Sequence, residues 1–221
     1  MVGSGQICVI LGRSTFEECL IFSGQYPFLE IRMDLLELSE DEFFALFSKA
    51  TKSIASCRTS YLSRQQRIDN YQIAIESGAD YIDLDIVEDN DIINEIRESI
   101  QNRKVSFITS YHDHSQVISS ERLEKIISDC REVKSDLIKV VGLIDADQDV
   151  LRLTELYRKY EDVISFSMGS NGRYSRLIAP LLGAPFTYAI PTSEKATAPG
   201  QYTYSEMIQF YKYLGLYKET P

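Results

Sequence analysis

The sequence predicts an α/β protein of the (β/α)8 barrel class, folded as a single domain over residues 1–221. Eight short runs rich in β-branched and aromatic residues begin 21 to 32 residues apart, which is too far for hairpins and suits repeated strand and helix units. The runs are mostly apolar, as in parallel strands covered on both faces. Amphipathic helical patterns fill the intervals between them. Eight such units in 221 residues indicate a compact barrel.

The predicted strands and the clearest helices follow one another along the chain. The strands are Ile7–Leu11, Phe28–Arg32, Ser53–Cys57, Tyr81–Ile86, Val105–Tyr111, Leu137–Val141, Val163–Met168 and Phe186–Ile190. Apolar residues at helical spacing mark two of the intervening helices, one by Leu123, Ile126, Ile127 and Cys130, the other by Val150, Leu153, Tyr157 and Tyr160. A doubly wound open sheet is the alternative fold. It receives no support from a nucleotide motif, because no G-x-G-x-x-G follows the first strand.

Composition and charge exclude several classes of protein. With 44% hydrophobic and 25% charged residues, the chain can bury a core, which excludes a disordered or fibrous protein. A formal net charge of −10 argues against binding to a nucleic-acid backbone or to an anionic membrane surface. The longest uncharged stretch, residues 177–193, contains three prolines and is shorter than the roughly 20 apolar residues of a membrane span.

The N-terminus and the cysteines bear on the location of the chain. Residues 1–5 carry glycine and serine without a basic and then apolar segment, so no secretory signal is predicted and these residues are interpreted as a flexible or added leader. The four cysteines are scattered without a C-x-x-C pair, which fits neither a disulfide framework nor a zinc site. The predicted location is therefore the reducing cytoplasm.

Polar residues concentrate at the ends of the predicted strands, where a barrel carries its functional groups. In chain order they are Glu30, Arg32, Asp34, Arg58, Asp83, Asp85, His112, His114, Lys139, Arg176 and the loop Thr197-Ala-Pro-Gly-Gln201. Arg32, Arg58 and Arg176 would converge on one face of the barrel and predict a carboxylate or a phosphate on the substrate. Each arginine could instead pair with a nearby acid, as Asp34 could with Arg32.

Lys139 and His112 are the two candidates for chemistry. Lys139 lies among large aliphatic residues, where burial disfavours an ammonium and a neutral amine can attack a carbonyl to form a Schiff base. The commoner role of such a lysine is a packed stem whose amine reaches the barrel mouth. His112 could shuttle protons, or it could serve only as a hydrogen-bonded residue at a strand end.

Two further sites are conceivable and weakly supported. His112 and His114 could share a metal, although no other His or Cys cluster supplies the ligands that zinc prefers. The segment 167–172, with two glycines, could hold a phosphate after strand seven, but it is a weak glycine signature.

Six local patterns then occur in order over nearly the whole chain. They are Glu30-Ile-Arg-Met-Asp34, Tyr81-Ile-Asp-Leu-Asp85, Ser110-Tyr-His-Asp113, Ile138-Lys139, Ser167-Met-Gly169 with Ser175-Arg176, and Ala196-Thr-Ala-Pro-Gly-Gln201. In this combination the chain resembles the type I 3-dehydroquinate dehydratases. The resemblance implies a (β/α)8 barrel lyase without metal or organic cofactor. Its reaction would be the removal of water from 3-dehydroquinate to give 3-dehydroshikimate, the third step of the shikimate pathway.

The resemblance also implies roles for single residues. Lys139 would form an imine with the substrate ketone, His112 would remove the adjacent proton and later protonate the departing hydroxyl, and Asp85 would orient His112. The substrate-binding positions would be Glu30, Arg32, Arg58, Arg176, Thr197 and Gln201, with Arg176 as the partner of the substrate carboxylate. The loop after strand eight, with proline and glycine near its ends, is predicted to act as a lid.

Four positions depart from the family pattern. Asp85 stands where the family has glutamate, which retracts the carboxylate by about 1 Å and could reduce the rate. Thr197 replaces the usual serine and keeps the hydroxyl. The pair of glycines that often follows the strand-three arginine is missing after Arg58, and His114 stands where the family tends to have an aromatic residue.

Partners and alternatives follow from the same resemblance. The implied partner is a small anionic substrate, with no nucleic acid and no membrane. Family members are often homodimers, and some are fused to shikimate dehydrogenase, so either arrangement could apply to this chain. Two other functions stay open. One is a Schiff-base aldolase acting on a sugar phosphate, and the other is a catalytically impaired barrel that serves as a binding module.

Overall fold

Eight parallel strands form one sheet that curves into a nearly closed barrel, which confirms the predicted fold class. The computed structural model describes residues 1–58 and 62–218. The strands are β1 Val2–Gly3, β2 Ile7–Leu11, β3 Leu29–Arg32, β4 Ser53–Ser56, β5 Tyr81–Asp85, β6 Ser106–Val117, β7 Leu137–Leu143, β8 Val163–Ser167, β9 Thr187–Ala189 and β10 Tyr217–Lys218. Hydrogen-bonded neighbours in the barrel follow the order β8-β7-β6-β5-β4-β3-β2-β9.

Helices follow the barrel strands on the outside. They are α1 Phe16–Gln25, α2 Glu40–Lys49, α3 Arg64–Glu76, α4 Ile93–Ser99, α5 Ser120–Glu132, α6 Asp147–Thr154, α7 Leu156–Lys159, α8 Tyr174–Leu182 and α9 Tyr204–Tyr213. Four of them begin at a Ser or Thr whose hydroxyl accepts from the third helical N–H, while the Glu or Gln at that position bonds back to the cap. These capping boxes fix where the chain turns from loop to helix.

The eight predicted strands are all present, and two extend beyond their predicted ends, β7 to Leu143 and β6 much further. The apolar run ends at Tyr111, but β6 continues to Val117 through a bulge after Asp113, because pairing with β7 resumes at Leu143. The Asp113 carboxylate accepts the N–H groups of Ser115 and Gln116 at this bulge. His112 and His114 therefore both belong to the strand, although the sequence predicts that it ends before them, at Tyr111.

The two predicted helical stripes differ in outcome. All four apolar residues of the α5 stripe are buried, as expected. The second stripe is interrupted at Glu155, between α6 and α7. Val150 and Leu153 are buried, whereas Tyr160 lies beyond α7 and donates its hydroxyl to Glu124 at the surface.

The N-terminal residues belong to the fold. Val2 and Gly3 pair in parallel with Tyr217 and Lys218, and Val2 is 1% exposed. Val2 and Gly3 are therefore ordered and not flexible, while the interpretation of residues 1–5 as an added leader stays a prediction. All four cysteines are buried and free of disulfides. Within the described residues, no helix has the length and apolar character that crossing a membrane requires.

The barrel interior explains where polar groups can lie. Phe28, Tyr81 and Phe186 pack together at the N-terminal end of the strands, with the rings of Phe28 and Phe186 4.9 Å apart. Side chains alternate with a period of two along a strand, so the next inward positions after Phe28 and Tyr81 are Glu30 and Asp83. These aromatic side chains thus fill the N-terminal end of the barrel. The inward-facing polar side chains begin in the next layer, towards the C-terminal ends of the strands.

Candidate active site

A cavity of about 460 Å³ opens at the C-terminal ends of the barrel strands. It is lined by all nine residues that the sequence proposed for the site, namely Glu30, Arg32, Arg58, Asp85, His112, Lys139, Arg176, Thr197 and Gln201. They come from β3, β5, β6, β7, α8 and two loops. The fold therefore brings together every predicted site residue, as expected for the C-terminal face of a barrel.

The amine of Lys139 lies inside the barrel. Its side chain is 6% exposed, and its Nζ is 2.8 Å from Asp83 Oδ2 and 3.4 Å from Glu30 Oε1. The amine also lies 4.3 Å from the centre of the Tyr188 ring. Lys139 is thus not a packed stem with its amine in bulk water, and its nitrogen faces a small enclosed space.

His112 is held in one orientation by Asp85. Its Nδ1 lies 3.0 Å from Asp85 Oδ2, while Asp85 Oδ1 accepts the N–H groups of Val87 and Glu88. The N–H of Asp85 is donated to Asp89. With Nδ1 donating to the aspartate, Nε2 of a neutral ring is left to accept a proton.

The charges around His112 keep it neutral. Burial and the neighbouring guanidinium of Arg58 lower the pKa of His112 to about 4, against the opposing effect of Asp85. Burial alone would raise the pKa of Asp85, but its hydrogen bond to His112 and the charge of Arg58 bring that pKa below its ordinary value. At neutral pH the imidazole is therefore a base that can take up a proton.

Asp83 is a site residue to which the sequence assigned no role. It is completely buried, with Oδ2 at Lys139 and Oδ1 accepting the Ser110 hydroxyl at 2.5 Å. Burial alone would raise the pKa of Asp83, but Lys139 and Arg58 lower it below the ordinary value. The signal that could have found it is its position two residues before Asp85, because this spacing directs both side chains to the same face of β5.

The three predicted arginines differ in their partners. Arg32 donates two hydrogen bonds to Asp34, at 2.9 and 2.6 Å, so the simple pairing foreseen for it is present. Arg58 donates to Ser110 and lies 3.6 Å from Asp83 and 3.8 Å from Asp85. Both side chains are thus already held by acids or a hydroxyl within the protein.

Arg176 has no such partner among residues 1–58 and 62–218. Arg176 is 5% exposed, and its guanidinium lies 4.3 Å from the centre of the Phe166 ring. Its Nε has no hydrogen-bond acceptor among the described residues. Burial lowers the pKa of Arg176 to about 10, which still leaves it charged at neutral pH. A buried cation without an acid beside it is costly, so this position is suited to an anionic group from a ligand.

The loop after β9 lines the cavity with Thr197, Ala198, Pro199 and Gln201. Gln201 Oε1 accepts the N–H of Thr197 at 2.8 Å, and Gln201 Nε2 donates to the Thr197 hydroxyl at 3.0 Å. Gly200 has a φ of +79°, and a Cβ there would lie 2.2 Å from the carbonyl oxygen of Gly169. Only glycine therefore allows this loop to lie so close to the loop that follows β8.

The comparisons with known proteins decide the family. The family model for the type I 3-dehydroquinases matches residues 7–218. The chain belongs to this family. The predicted membership is thereby confirmed, and with it the prediction that the chain is a hydro-lyase of this type.

Relatives and solved structures of this dehydroquinase agree over almost its full length. It is 30% identical over 208 residues to the 3-dehydroquinate dehydratase of Thermococcus gammatolerans, covering 91% of this chain and 94% of the relative. The enzyme of Dehalococcoides mccartyi is 28% identical over 214 residues, with 93% and 94% covered. The type I 3-dehydroquinate dehydratase structure from Clostridium difficile superposes with a TM-score of 0.82 at 22% identity, covering 96% of this chain and 93% of that one.

Two weaker expectations find no support in the geometry of this dehydroquinase. In the segment considered for phosphate, the Ser167 N–H is donated to Ser175, whose hydroxyl is donated to Gly172, so these groups are already used. The exposed ring of His114 stacks at 6.2 Å on that of His112. Over residues 1–58 and 62–218, no three His, Cys, Asp or Glu side chains are grouped so that they could hold a metal ion.

The loop where the glycine pair is missing includes residues 59–61, which lie outside the described residues.

Proposed function

We propose that this dehydroquinase converts 3-dehydroquinate into 3-dehydroshikimate through an imine on Lys139, as the third step of the shikimate pathway. His112 is its general base and acid, and Asp85 orients His112. One observation carries the proposal: a single cavity holds a buried amine, a neutral imidazole and the unpartnered guanidinium of Arg176. Family membership supports the same reaction.

Substrate binding follows from the charges in the cavity. The carboxylate of dehydroquinate pairs with Arg176, which has no acid of its own, and this pairing places the ring over Lys139. Glu30, Arg32 and Arg58 provide fixed hydrogen-bonding groups for the ring hydroxyls. Thr197 and Gln201 close the loop over the bound ring and exclude water.

The reaction proceeds by proton and electron-pair transfers that return the enzyme unchanged. The amine of Lys139 adds to the ketone carbon, and water leaves with the uptake of one proton, which gives a protonated imine. His112 Nε2 takes a proton from the adjacent carbon, and the electron pair moves into the imine to form an enamine. The enamine expels the hydroxyl one carbon further on, which His112 protonates as it leaves. Hydrolysis of the remaining imine releases the product and Lys139, and each acid-base step contributes roughly 10²- to 10⁴-fold.

The acid limb of the pH profile should reflect the lowered pKa of His112. A neutral imidazole is needed, so kcat/KM should stay constant as the pH falls through 6.5 and decline only as it approaches about 4. The free energy of unfolding should decrease as the pH falls from about 6.5 to about 4. In this range the unfolded chain takes up the histidine proton, near the ordinary pKa of about 6.5, and the folded chain does not. Initial rates between pH 4 and 8, with circular dichroism at each pH, measure both effects. An acid limb centred at pH 6.5 or above in folded enzyme would contradict this expectation.

Borohydride reduction in the presence of dehydroquinate tests the proposed function. A reduced imine should add the mass of the substrate skeleton to one peptide, the one that contains Lys139, and absorbance from the conjugated product should rise before reduction. A protein that traps nothing and makes no conjugated product would instead be a catalytically impaired binding module. Trapping with a sugar phosphate and not with dehydroquinate would indicate the aldolase alternative. The homodimer, the dehydrogenase fusion and the cytoplasmic location stay predictions of the sequence.

A further inference from the structure

We propose that Asp83 is the counter-ion of the protonated imine on Lys139, and thereby a catalytic residue of the dehydration. The proposal rests on the imine chemistry proposed above. Its basis is the contact of 2.8 Å between Asp83 Oδ2 and the nitrogen that forms the imine. None of the roles carried over from the family resemblance assigns a function to this carboxylate.

The carboxylate of Asp83 is fixed by the strands around it. Asp83 lies on β5 and Lys139 on β7, with β6 between them, and Ser110 of β6 stands directly opposite Lys139 in the register. The Ser110 hydroxyl bonds the second carboxylate oxygen and leaves the first one directed at Nζ. Since Asp83 is 0% exposed, water does not compete for either oxygen.

Several other charged and titratable groups surround Nζ of Lys139, and Asp83 is closer to it than the other carboxylate among them. They are Glu30 from β3, Arg58 after β4, His112 from β6, Tyr188 from β9 and Cys8 from β2. Glu30 is farther from Nζ, at 3.4 Å. Arg58 and a protonated His112 would both oppose a positive charge at this point. The contact with Asp83 is thus the strongest favourable one for a cation at Nζ.

The chemistry passes through a cation at this nitrogen twice, before the proton is removed from carbon and after the hydroxyl leaves. An ammonium and a ketone give a protonated imine and water, so the positive charge is kept while one N–H group remains to donate to Asp83. Proton removal from the adjacent carbon by His112 sends an electron pair to this nitrogen, and loss of the hydroxyl restores the protonated imine. A carboxylate that is already in place stabilises each cationic form without rearrangement. No free energy is then spent on reorganising the site during the reaction.

Asp83→Asn tests this role, because it keeps the shape of the side chain and removes its charge. We expect kcat to fall by about 10²-fold with KM changed by less than about threefold. The trapped adduct should still form on Lys139. The pH above which borohydride trapping declines should move downwards by about 1 to 3 units, since the imine loses its proton more easily without the anion.

Two further variants separate the charge from the packing. Ser110→Ala loosens the same carboxylate and keeps its charge, so it should lower kcat less than Asp83→Asn and leave the midpoint of the trapping curve unchanged. Asp83→Ser is the second uncharged variant and serves if the asparagine protein does not fold. An unchanged midpoint in a folded uncharged variant, or a loss confined to KM, would overturn the role of Asp83. Failure of the proposed function looks different, because the wild-type enzyme would then trap no adduct.

Discussion

Lys139→Ala should abolish turnover while the variant still binds dehydroquinate. Without the amine no imine forms, and the ketone alone does not acidify the adjacent C–H sufficiently, so we expect a loss in kcat on the order of 10⁴-fold or more. Binding should persist because Arg176, the proposed partner of the substrate carboxylate, is untouched. The measurements are product absorbance for turnover and titration calorimetry for binding.

A stability effect will accompany this substitution and needs its own control. Removing the amine leaves Glu30 and Asp83 buried with Arg58 as the cation that remains near Asp83, which should cost up to about 3 to 5 kcal/mol in the free energy of unfolding. Lys52→Ala is the matched control, because Lys52 lies at the other end of the barrel, 4.4 Å from the centre of the Phe28 ring. It should keep the wild-type rate. A folded Lys139→Ala protein with near wild-type turnover would refute the imine.

The fold could be predicted because the pattern that indicates each strand lies within a short stretch of the sequence. Each barrel strand is a short apolar run, and each run lies at the interval that a helix and two loops require. The extension of β6 beyond Tyr111 could not be predicted in this way. Residues 112–116 are polar, and they are held in the strand by pairing with β7 and by the Asp113 bulge. Such a strand end depends on a partner that is distant in sequence.

The members of the site could also be predicted, but most of their contacts could not. Strand ends identified Arg32 and Arg176 alike as charged residues at the barrel mouth. The sequence offered Asp34 as a partner for Arg32, but only the packed structure shows that this pairing forms and that Phe166, an apolar ring, faces Arg176. The role of Asp83 was hidden for the same reason, since its importance comes from a contact with Lys139 across an intervening strand. Sequence therefore predicted the chemical groups, and packing determines which of them stay free for a substrate.

The substitution of Asp85 for the family's glutamate shows how packing can change an expectation. The shorter side chain was expected to retract its carboxylate from the histidine by about 1 Å. In the structure the carboxylate reaches His112 at 3.0 Å and is held from behind by the N–H groups of Val87 and Glu88. The loop after β5 thus supports a carboxylate of this length, and aspartate provides the contact that orients the ring.

His112→Asn should slow the dehydration by about 10²- to 10⁴-fold and cause the imine to accumulate. Asparagine can still bond to Asp85 but cannot accept the proton from carbon, so the reaction stops after Lys139 has combined with the ketone. Mass spectrometry without borohydride should show more adduct in this variant than in the wild type, which a general loss of folding would not produce. His114→Asn removes the other histidine of the chain, whose exposed ring stacks on the first, and its rate loss should be at least about tenfold smaller. Equal losses in the two variants, or a His112→Asn protein that forms no adduct, would mean that His112 is not the base that acts on the imine.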